Sequence, residues 1–264
     1  MNQTLLECAR AAGRILLDHY GKATGIRLKE NQAQVVTDTD LAAERCIVER
    51  IRARFPDHSI LAEETGYARR ASEFTWVIDP LDGTSNFAAG LPWFGVQIAV
   101  FKNAVPILAV MYLPLEDALY FSEQGQGVFR NDTRVQVTAE TDLRNLLCNF
   151  GLDASHSAKR TRQGVEMLFR VVQGVRNVRA TNSLVDFCYV LDGRLGGCVN
   201  LNAKIWDIAP VCLMLPEAGG RVTDINGDEL RFEFAAEGFD RSYTLLGASQ
   251  TLHPQLLKLL KQAK

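Results

Sequence analysis

The run WVIDPLDGTSNF, residues 76–87, decides the fold because it joins an apolar segment to an acidic turn. The apolar residues FTWVI (74–78) predict a buried strand. Pro80 has a fixed φ and no N–H to donate, so we expect the strand to stop at Asp79. Gly83 permits the tight turn that would follow, and the chain is then expected to begin a helix.

The acidic turn of this run offers several oxygen atoms to one point. Asp79 and Asp82 are separated by a stiff Pro-Leu pair, so their carboxylates can face the same spot. The backbone carbonyl of Leu81 and the hydroxyl of Thr84 can join them. Such oxygen ligands suit a hard cation such as magnesium, and open N–H groups at a helix start suit phosphate. The turn therefore predicts a site for a divalent cation and a phosphate group.

Two other acidic segments also lie at the ends of apolar elements. Glu63 and Glu64 follow the strand candidate HSILA (58–62), and Asp207 follows Trp206 where an apolar helix is expected to begin. Carboxylates that face one spot repel one another unless a cation neutralises them. Two such ions roughly 3.5–4 Å apart can activate water and stabilise a leaving oxygen. Each segment alone is also ordinary turn or surface sequence, so the prediction depends on their joint occurrence.

The rest of the chain alternates helices and strands without a regular βαβ repeat. Helical spacing predicts a first helix that ends near Gly21 and a second from Asp40 to Arg54, capped by Thr37 or Asp38. Residues 96–137 have the pattern of an antiparallel meander. Further helices are predicted at 160–173, 183–193, 206–220 and 252–262, and further strands at 195–201, 221–225 and 243–249.

Length and composition limit the class of protein. The chain has 264 residues with 47% hydrophobic content, enough for one large core. A polar run at 138–145 predicts two halves, 1–140 and 141–264, within one compact catalytic domain. The net charge of −2 does not produce the positive electrostatic field that nucleic-acid-binding proteins usually have, so we expect no direct nucleic-acid partner. No apolar run reaches the roughly 18 residues of a membrane span, and no signal peptide is recognised, so we expect a cytoplasmic protein without a membrane partner.

The cysteines and histidines show no site pattern. The six cysteines are scattered and lack the C-x-x-C spacing of zinc ribbons and redox motifs. The four histidines are expected to be structural or surface residues, because no motif surrounds them. They are His19, His58, His156 and His253.

Four segments together resemble the signatures of the inositol monophosphatase family. WVIDPLDGTSNF is similar to the metal loop of that family, and AEET (62–65) is similar to its Gly-Glu-Glu segment, with alanine at position 62. VVTDTD (35–40) resembles an upstream Val-Thr-x-x-Asp element, and WDIAPVCLMLPEAGG (206–220) resembles the second signature. The segments occur in the right order, and the resemblance covers most of the chain.

The resemblance implies a fold, a cofactor and a metal site. The expected fold is of the α+β class, a layered αβαβα sandwich like that of the inositol monophosphatases and fructose-1,6-bisphosphatases, commonly in a homodimer. The expected cofactor is Mg²⁺, two or three ions, often with inhibition by lithium. The implied ligands are Glu63, Asp79 and the Leu81 carbonyl for the first ion, Asp79, Asp82 and Asp207 for the second, and Glu63 with Asp40 for a weaker third.

The resemblance also implies catalytic and substrate-binding residues. Glu63 and Thr84, with Thr84 supported by Asp40, would orient the attacking water and help to deprotonate it. The phosphate would lie on the metal ions and on the N–H groups of Gly83 and Thr84. The substrate wall is expected to include Asn182, Ser183, Asn200 and Asp207.

The substrate wall departs from the pattern of inositol-active relatives. Asn182 stands where glycine is common and Leu184 where alanine is common, which should narrow the wall. Asn200 takes the place of a glutamate that binds ring hydroxyls, and an amide can donate as well as accept. Asp186 either reaches the substrate or lies in the first turn of the next helix with Ser183 as its cap, and the pattern favours capping.

The implied activity is Mg²⁺-dependent hydrolysis of a small phosphomonoester, with inositol 1-phosphate as the first candidate. Histidinol phosphate, fructose 1,6-bisphosphate and 3′-phosphoadenosine 5′-phosphate are alternatives, because Asn182 and Asn200 differ from the inositol pattern. A third hypothesis is a regulatory protein that binds the transcription machinery, as some bacterial members of the family do. The intact set of expected ligands argues against loss of the chemistry.

Overall fold

The computed structural model describes residues 1–22, 25–28, 35–153, 157–234 and 241–261. Its larger sheet contains β3 (Ser59–Ala62), β4 (Gly66–Ala68), β5 (Phe74–Asp82), β6 (Gly95–Lys102), β7 (Val105–Leu113), β8 (Ala118–Glu123), β9 (Val128–Arg130) and β10 (Thr133–Val135). The strand order is β10-β9-β8-β7-β6-β5-β3-β4. Strands β6 to β10 pair in sequence and antiparallel, so the predicted meander is confirmed. Strands β1 (Arg27–Leu28) and β2 (Val35–Val36) form a separate antiparallel ribbon.

The smaller sheet lies in the second part of the chain. It contains β11 (Leu147–Gly151), β12 (Asn177–Arg179), β13 (Gly197–Ala203), β14 (Gly220–Thr223) and β15 (Tyr243–Ser249) in the order β12-β11-β13-β15-β14. Strand β11 is parallel to both of its neighbours, and β15 is antiparallel to both of its own. The chain passes from the first sheet to the second between Val135 and Leu147. The division into halves 1–140 and 141–264 stays a prediction.

The helices form three layers around the two sheets. They are α1 (Asn2–His19), α2 (Asp38–Arg54), α3 (Thr84–Ala88), α4 (Ala158–Gly174), α5 (Val185–Leu191), α6 (Ile205–Glu217) and α7 (His253–Lys261), with 3-10 turns at Pro114–Glu116 and Leu143–Asn145. Helices α1 and α2 contact β5, β6 and β7, whereas α4 and α7 contact each other and the smaller sheet. Helix α6 contacts strands of both sheets. The predicted αβαβα sandwich is therefore confirmed. No helix in the described ranges combines the length and apolar content that crossing a membrane requires.

Three apolar clusters hold these layers together. The middle cluster joins α5 and α6 to both sheets, and the outer clusters lie under α1 and α2 and under α4 and α7. Successive side chains of a strand point to opposite faces of the sheet. In β13, Cys198 therefore belongs to the middle cluster and Val199 to the outer cluster under α4 and α7. Helix α6 is buried almost all round, as a helix between two sheets must be. This arrangement brings the start of α6 close to the end of β5.

Strand β5 does not stop at Asp79, so that prediction was wrong. It continues through Pro80 to Asp82, but its pairing with β6 shifts from Asp79–Gln97 to Asp82–Gly95. Three steps along β5 thus oppose two along β6, which is the geometry of a bulge. A bulge tolerates proline because the missing N–H is not needed by the ladder. The acidic turn is therefore the irregular end of a paired strand. Its pairing with β6 holds the turn in place more firmly than a free loop would be held.

Helix α2 begins at Asp38, two residues before the predicted start at Asp40. Thr37 is its N-cap, as predicted, and the Thr37 side chain accepts a hydrogen bond from the Thr39 N–H at 3.2 Å. The Asp40 carboxylate accepts the Thr37 N–H in return at 2.8 Å, which completes a capping box. Asp40 is therefore a helix-capping residue as well as a candidate for the active site.

Candidate active site

Three carboxylates converge where the two sheets face each other. Asp79 and Asp82 stand at the bulged end of β5, and Asp207 stands in the first turn of α6, where it accepts the Lys204 N–H at 2.7 Å. One oxygen atom from each of the three lies within 4.8 Å of the others. Asp207 thus joins two aspartates that lie 125 and 128 positions earlier in the chain to form one acidic cluster, as the sequence suggested. Their role as metal ligands stays a prediction.

Burial makes this cluster costly when its members are charged. Asp79 is 2% exposed and Asp82 is 9% exposed. Burial, with a smaller contribution from the charge of Glu63, raises the pKa of Asp82 to about 7 against the hydrogen bonds from Leu184 and Gln97, which oppose the rise. Burial also raises the pKa of Asp207 well above its usual range, and the charges of Asp82 and Glu63 add to this effect. Oxygen donors that repel one another at this spacing fit a divalent cation, because the ion removes their repulsion.

Glu63 lies beside the cluster without being one of its three converging members. Its backbone N–H donates to the Ile78 carbonyl at 3.2 Å, which ties it to β5. Burial raises the pKa of Asp40 and of Glu44, and the charge of Glu63 adds a smaller rise to each, so Glu63 lies within electrostatic reach of both carboxyls. Its roles as a metal ligand and as a catalytic residue stay predictions.

Glu44 on α2 supports this segment and was missed from the sequence. It is 1% exposed, and one of its oxygens accepts the Glu64 N–H at 2.8 Å. Glu44 follows Asp40 by one helical turn, on the same buried face as Ile47. The position of an acidic residue within an apolar stripe was the signal that could have revealed it.

Thr84 and Asp40 are joined by a hydrogen bond. The Thr84 hydroxyl lies 3.0 Å from Asp40 Oδ1 and 2.9 Å from the Leu81 carbonyl oxygen. It carries one proton, so it donates to one of these acceptors at a time. Burial raises the pKa of Asp40, while hydrogen bonds from Thr37 and Thr84 oppose that rise. Gly83 precedes Thr84 as the N-cap of α3, with a φ of 84° that favours glycine.

Asp82 is held from both parts of the chain. Gln97 Nε2 donates to one carboxylate oxygen at 2.6 Å, and the Leu184 N–H donates to the other at 2.5 Å. Gln97 is fully buried on β6, where it interrupts the apolar run VQIAVF. Gln97 was not predicted from the sequence, although a lone polar residue inside a buried strand is a visible signal. Both contacts orient the Asp82 carboxylate, as hydrogen bonds to metal ligands do in known sites.

Two of the expected substrate-wall residues, Asn182 and Asn200, lie close to Gly151 at the end of β11. A Cβ atom built on Gly151 would lie 3.4 Å from Asn182 Oδ1 and 3.7 Å from Asn200 Cγ. Asn182 has a φ of 52°, and its amide donates to Asp153 at 2.8 Å. Asn200 accepts the Asn202 N–H at 2.9 Å. The two asparagines therefore lie close together, and their contact with a substrate stays a prediction.

Ser183 links this wall to the acidic turn. Its Cβ atom would lie 3.1 Å from a Cβ atom built on Gly83. The Ser183 hydroxyl oxygen accepts the Val185 N–H at 3.4 Å, which is a weak form of the predicted helix cap. The N-cap position itself belongs to Leu184, one residue later, whose side chain makes no capping hydrogen bond. Asp186 lies in the first turn of α5 as predicted, and it accepts the Thr181 N–H at 3.3 Å.

The fold and the site define a layered αβαβα protein with a buried carboxylate centre suited to divalent cations. Its sequence matches the model of the family described as "Inositol monophosphatase family" over residues 1–264. The chain therefore belongs to the inositol monophosphatase family, whose members are generally phosphatases. The resemblance inferred from the four sequence segments is confirmed.

Similar proteins fall under several names. "Nus factor SuhB" of Pasteurella multocida is 35% identical over 225 residues, covering 84% of each chain. "Inositol-1-monophosphatase" of Caulobacter vibrioides is 32% identical over 264 residues, covering 98% of this chain and 100% of that protein. The solved structure of the "extragenic suppressor protein suhB" of Bartonella henselae has a TM-score of 0.89 at 29% identity, covering 99% and 98% of the two chains. An inositol monophosphatase of Thermotoga maritima has a TM-score of 0.87 at 28% identity, covering 98% and 97%.

Proposed function

We propose that this protein hydrolyses a small phosphomonoester with the help of Mg²⁺. The observation that carries the proposal is the convergence of Asp79, Asp82 and Asp207, with one oxygen from each within 4.8 Å of the others. Family membership supports the reaction class. The buried, mutually repelling carboxylates support the choice of a hard divalent cation.

The three aspartates would hold the ions together with Glu63 and the Leu81 carbonyl. Bound Mg²⁺ would supply positive charge for the phosphate and acidify a water molecule. The carboxylate of Asp82 is kept in place by Gln97, which fixes the direction of one ligand oxygen. The N–H groups of Gly83 and Thr84 would bind the phosphate oxygens at the start of α3.

Thr84, Asp40 and Glu63 would orient the attacking water. When the Thr84 hydroxyl donates to Asp40 Oδ1, its oxygen lone pairs are left to accept a hydrogen bond from water. Asp40 is fixed in turn by the N–H and hydroxyl of Thr37, so this chain of contacts has little freedom. Proton transfer from the water at this point is general base catalysis.

Inositol 1-phosphate is the substrate that we propose first, because the chain belongs to the inositol monophosphatase family. Asn182 and Asn200 would meet the hydroxyl groups of the substrate, and their amides can both donate and accept. Histidinol phosphate, fructose 1,6-bisphosphate and 3′-phosphoadenosine 5′-phosphate remain competing substrates. A comparison of kcat/KM over these four esters would rank them, and the lowest value for inositol 1-phosphate would reject it.

The decisive test uses Asp82→Asn, which keeps the shape of the side chain and removes its charge. We expect the variant to fold normally and to lose most of its Mg²⁺-dependent phosphate release. Asp132→Asn is the control, because Asp132 is an exposed aspartate away from the cluster. Activity of Asp82→Asn close to that of the unaltered protein would reject the metal site. Absence of phosphate release from every ester tested would reject the function.

A binding role with the transcription machinery is the second candidate. It is favoured by relatives that bear the name "Nus factor SuhB", such as those of Pasteurella multocida and Xylella fastidiosa. Such a role needs the folded surface and not the chemistry, so Asp79→Asn should still bind. Co-purification of that variant with purified transcription factors would support the role, and failure of the unaltered protein to bind any of them would reject it.

A homodimer is also proposed, because homodimers are common in the family. Light scattering of the purified protein would give its mass. A value near the chain mass of 29.3 kDa at all concentrations would reject the dimer.

A further inference from the structure

The outer side of α4 carries a stripe of exposed apolar residues. Val165, Phe169 and Val172 follow one another at i, i+4 and i+7, so they share one side of the helix. Their exposed fractions are 49%, 62% and 45%, and Phe169 is the most exposed large apolar residue in the described ranges. The buried residues of α4, Gly164 and Val171, lie on another side of the helix, toward the layer of α7. We call this stripe the α4 face.

Basic residues precede and follow the α4 face along the chain. Residues 158–179 contain six basic residues and one acidic residue, whereas the whole chain has a net charge of −2. Arg170 is used inside the fold, because it donates to the carbonyls of Leu259 and Leu260 at 2.9 Å. The other five are exposed, and none of them forms an ion pair within the part of the chain that the structure describes. They are Lys159, Arg160, Arg162, Arg176 and Arg179.

This charge distribution argues against a second copy of the chain as the occupant. A second copy packed antiparallel across Phe169 would bring the basic start of α4, with Arg162, towards the basic segment that follows the end of α4 in the other copy, with Arg176. Like charges at such an interface oppose association. A nucleic acid would engage the cations but would leave Val165 and Val172 without apolar contacts, since it binds through phosphates and stacking on aromatic rings.

We propose that the α4 face docks an acidic, amphipathic segment of another protein. Apolar side chains of that segment would cover Val165, Phe169 and Val172, and its Asp or Glu residues would pair with Arg162 and Arg176. An exposed aromatic residue within such a patch is the usual centre of binding energy. Helix α4 contributes no residue to the carboxylate cluster. The proposal therefore does not depend on the phosphatase activity.

The test begins with selection from a displayed library of random 16-residue peptides on the full-length protein. We expect the enriched peptides to carry a net negative charge and apolar residues at helical spacing. Binding of the most enriched peptide is then measured by fluorescence anisotropy at two salt concentrations. We expect Phe169→Ser and the double variant Arg162→Glu/Arg176→Glu each to weaken binding at least about 10-fold, in line with the loss of an interface hot spot.

Matched controls distinguish binding at the α4 face from non-specific binding to any exposed apolar residue and from the effects of unfolding. Val105→Ser removes a valine that is 49% exposed on β7 of the other sheet, and it should bind like the unaltered protein. The double charge-reversal variant should gain affinity for a peptide in which each Asp and Glu is replaced by Lys. Thermal unfolding of every variant reports folding whether or not the phosphatase activity exists.

Four outcomes would overturn the proposal. Enriched peptides without an acidic bias would reject the partner chemistry, and equal binding by Phe169→Ser would reject the site. Phe169-dependent binding to vesicles with 30% phosphatidylserine, together with no peptide enrichment, would identify a membrane surface instead. Loss of a dimer in Phe169→Ser by light scattering, again without peptide enrichment, would identify a second copy as the occupant.

Discussion

Gln97 decides how firmly one aspartate of the cluster is held. Its amide donates to Asp82 at 2.6 Å, and both residues are buried. Gln97→Leu removes the donor at similar volume, so Asp82 keeps only the contact with the Leu184 N–H. Because such supporting contacts are typically worth 10–100-fold in metal affinity or activity, we expect the Mg²⁺ concentration for half-maximal activity to rise about 10-fold.

The same measurement supplies the control for Gln97. Gln126→Leu alters an exposed glutamine in the turn between β8 and β9, and it should leave the Mg²⁺ dependence unchanged. Gln97→Glu adds a carboxylate next to Asp82, which should bring a further repulsion in Mg²⁺-free buffer. A Mg²⁺ dependence of Gln97→Leu equal to that of the unaltered protein would show that the Leu184 contact alone orients Asp82.

Because of the buried residue His253, we expect the free energy of unfolding of the protein to fall in mild acid. It is fully buried at the start of α7 and shares a hydrogen bond with the Thr223 hydroxyl at 2.9 Å. Burial, with a smaller effect of Arg221, lowers its pKa from 6.5 to about 4. Between these values the unfolded chain binds a proton and the folded chain does not, so stability falls as the pH decreases through this range. The loss from pH 6.5 to 5 should be about 2 kcal/mol.

Urea unfolding across this pH range tests the prediction against a variant. His253→Gln keeps a hydrogen-bonding side chain but cannot acquire the charge, so its stability should depend less on pH by about the same 2 kcal/mol. The other titrating groups are shared by both proteins and cancel in the difference. Parallel pH curves for the two proteins would show that His253 is protonated in the folded state.

At the residue scale the sequence revealed the three clustered aspartates better than the residues that support them. Asp79, Asp82 and Asp207 were found because each lies at the end of an apolar element, where a charge is conspicuous. Gln97 and Glu44 lie inside a strand and a helix, where one polar residue looks like a tolerated exception. Their importance comes from contacts with distant residues, and a local pattern does not contain that information.

At the element scale, the acidic turn depends on a glycine with no room for a side chain. Gly83 has a φ of 84°, and a Cβ atom there would collide with the Trp93 carbonyl oxygen. Gly83→Ala therefore combines an unfavourable backbone conformation with a backbone clash. We expect a loss of about 2–3 kcal/mol in the free energy of unfolding and near-complete loss of activity, since Thr84 must move.

Gly90 provides the matched control that separates the cost of a positive φ from the cost of the clash with Trp93. It lies in the same connection between β5 and β6 with a φ of 73°, and nothing lies within 4 Å of a Cβ atom built on it. Gly90→Ala should therefore cost only the conformational part, about 1 kcal/mol, and should retain activity. Equal unfolding free energies for the two variants would mean that the loop moves away from Trp93 without cost.

The elements themselves were predictable where their apolar spacing was regular. Helices α2 and α6 and the meander from β6 to β10 were found from the sequence, and Thr37 was identified as a cap. The end of β5 was not, because the rule for proline assumes a regular ladder. The bulge opposite Gln97 removes the need for the Pro80 N–H, and its existence depends on the pairing partner β6.

At the scale of the whole molecule, the site is assembled across the two sheets. Asp82 on β5 receives the Leu184 N–H, and Asn86 on α3 donates to the Thr181 carbonyl at 2.8 Å. Asp207 comes from α6, which contacts strands of both sheets. The layer order could be predicted only through the family resemblance, because element spacing does not say which sheet covers which helix. The same long-range packing places the carboxylates together.

This assembly predicts that the metal acts on stability as well as on chemistry. In Mg²⁺-free buffer the clustered carboxylates either repel one another or must take up protons because their pKa values are raised, and both cost stability relative to the unfolded chain. Asp207→Asn should therefore unfold at a higher temperature than the unaltered protein. The asparagine oxygen can still accept the Lys204 N–H, so the cap of α6 is kept. Mg²⁺ at ten times its Kd should stabilise the unaltered protein by about 1.4 kcal/mol. For a chain of this size that corresponds to roughly 3–6 °C.

Calorimetry with and without Mg²⁺ should therefore reverse the order of the two proteins. Asp207→Asn should respond weakly to Mg²⁺, because it has lost one of three converging carboxylates. Asp132→Asn, which alters an exposed aspartate, should respond like the unaltered protein. An equal response of all three would mean that Asp207 takes no part in binding the cation.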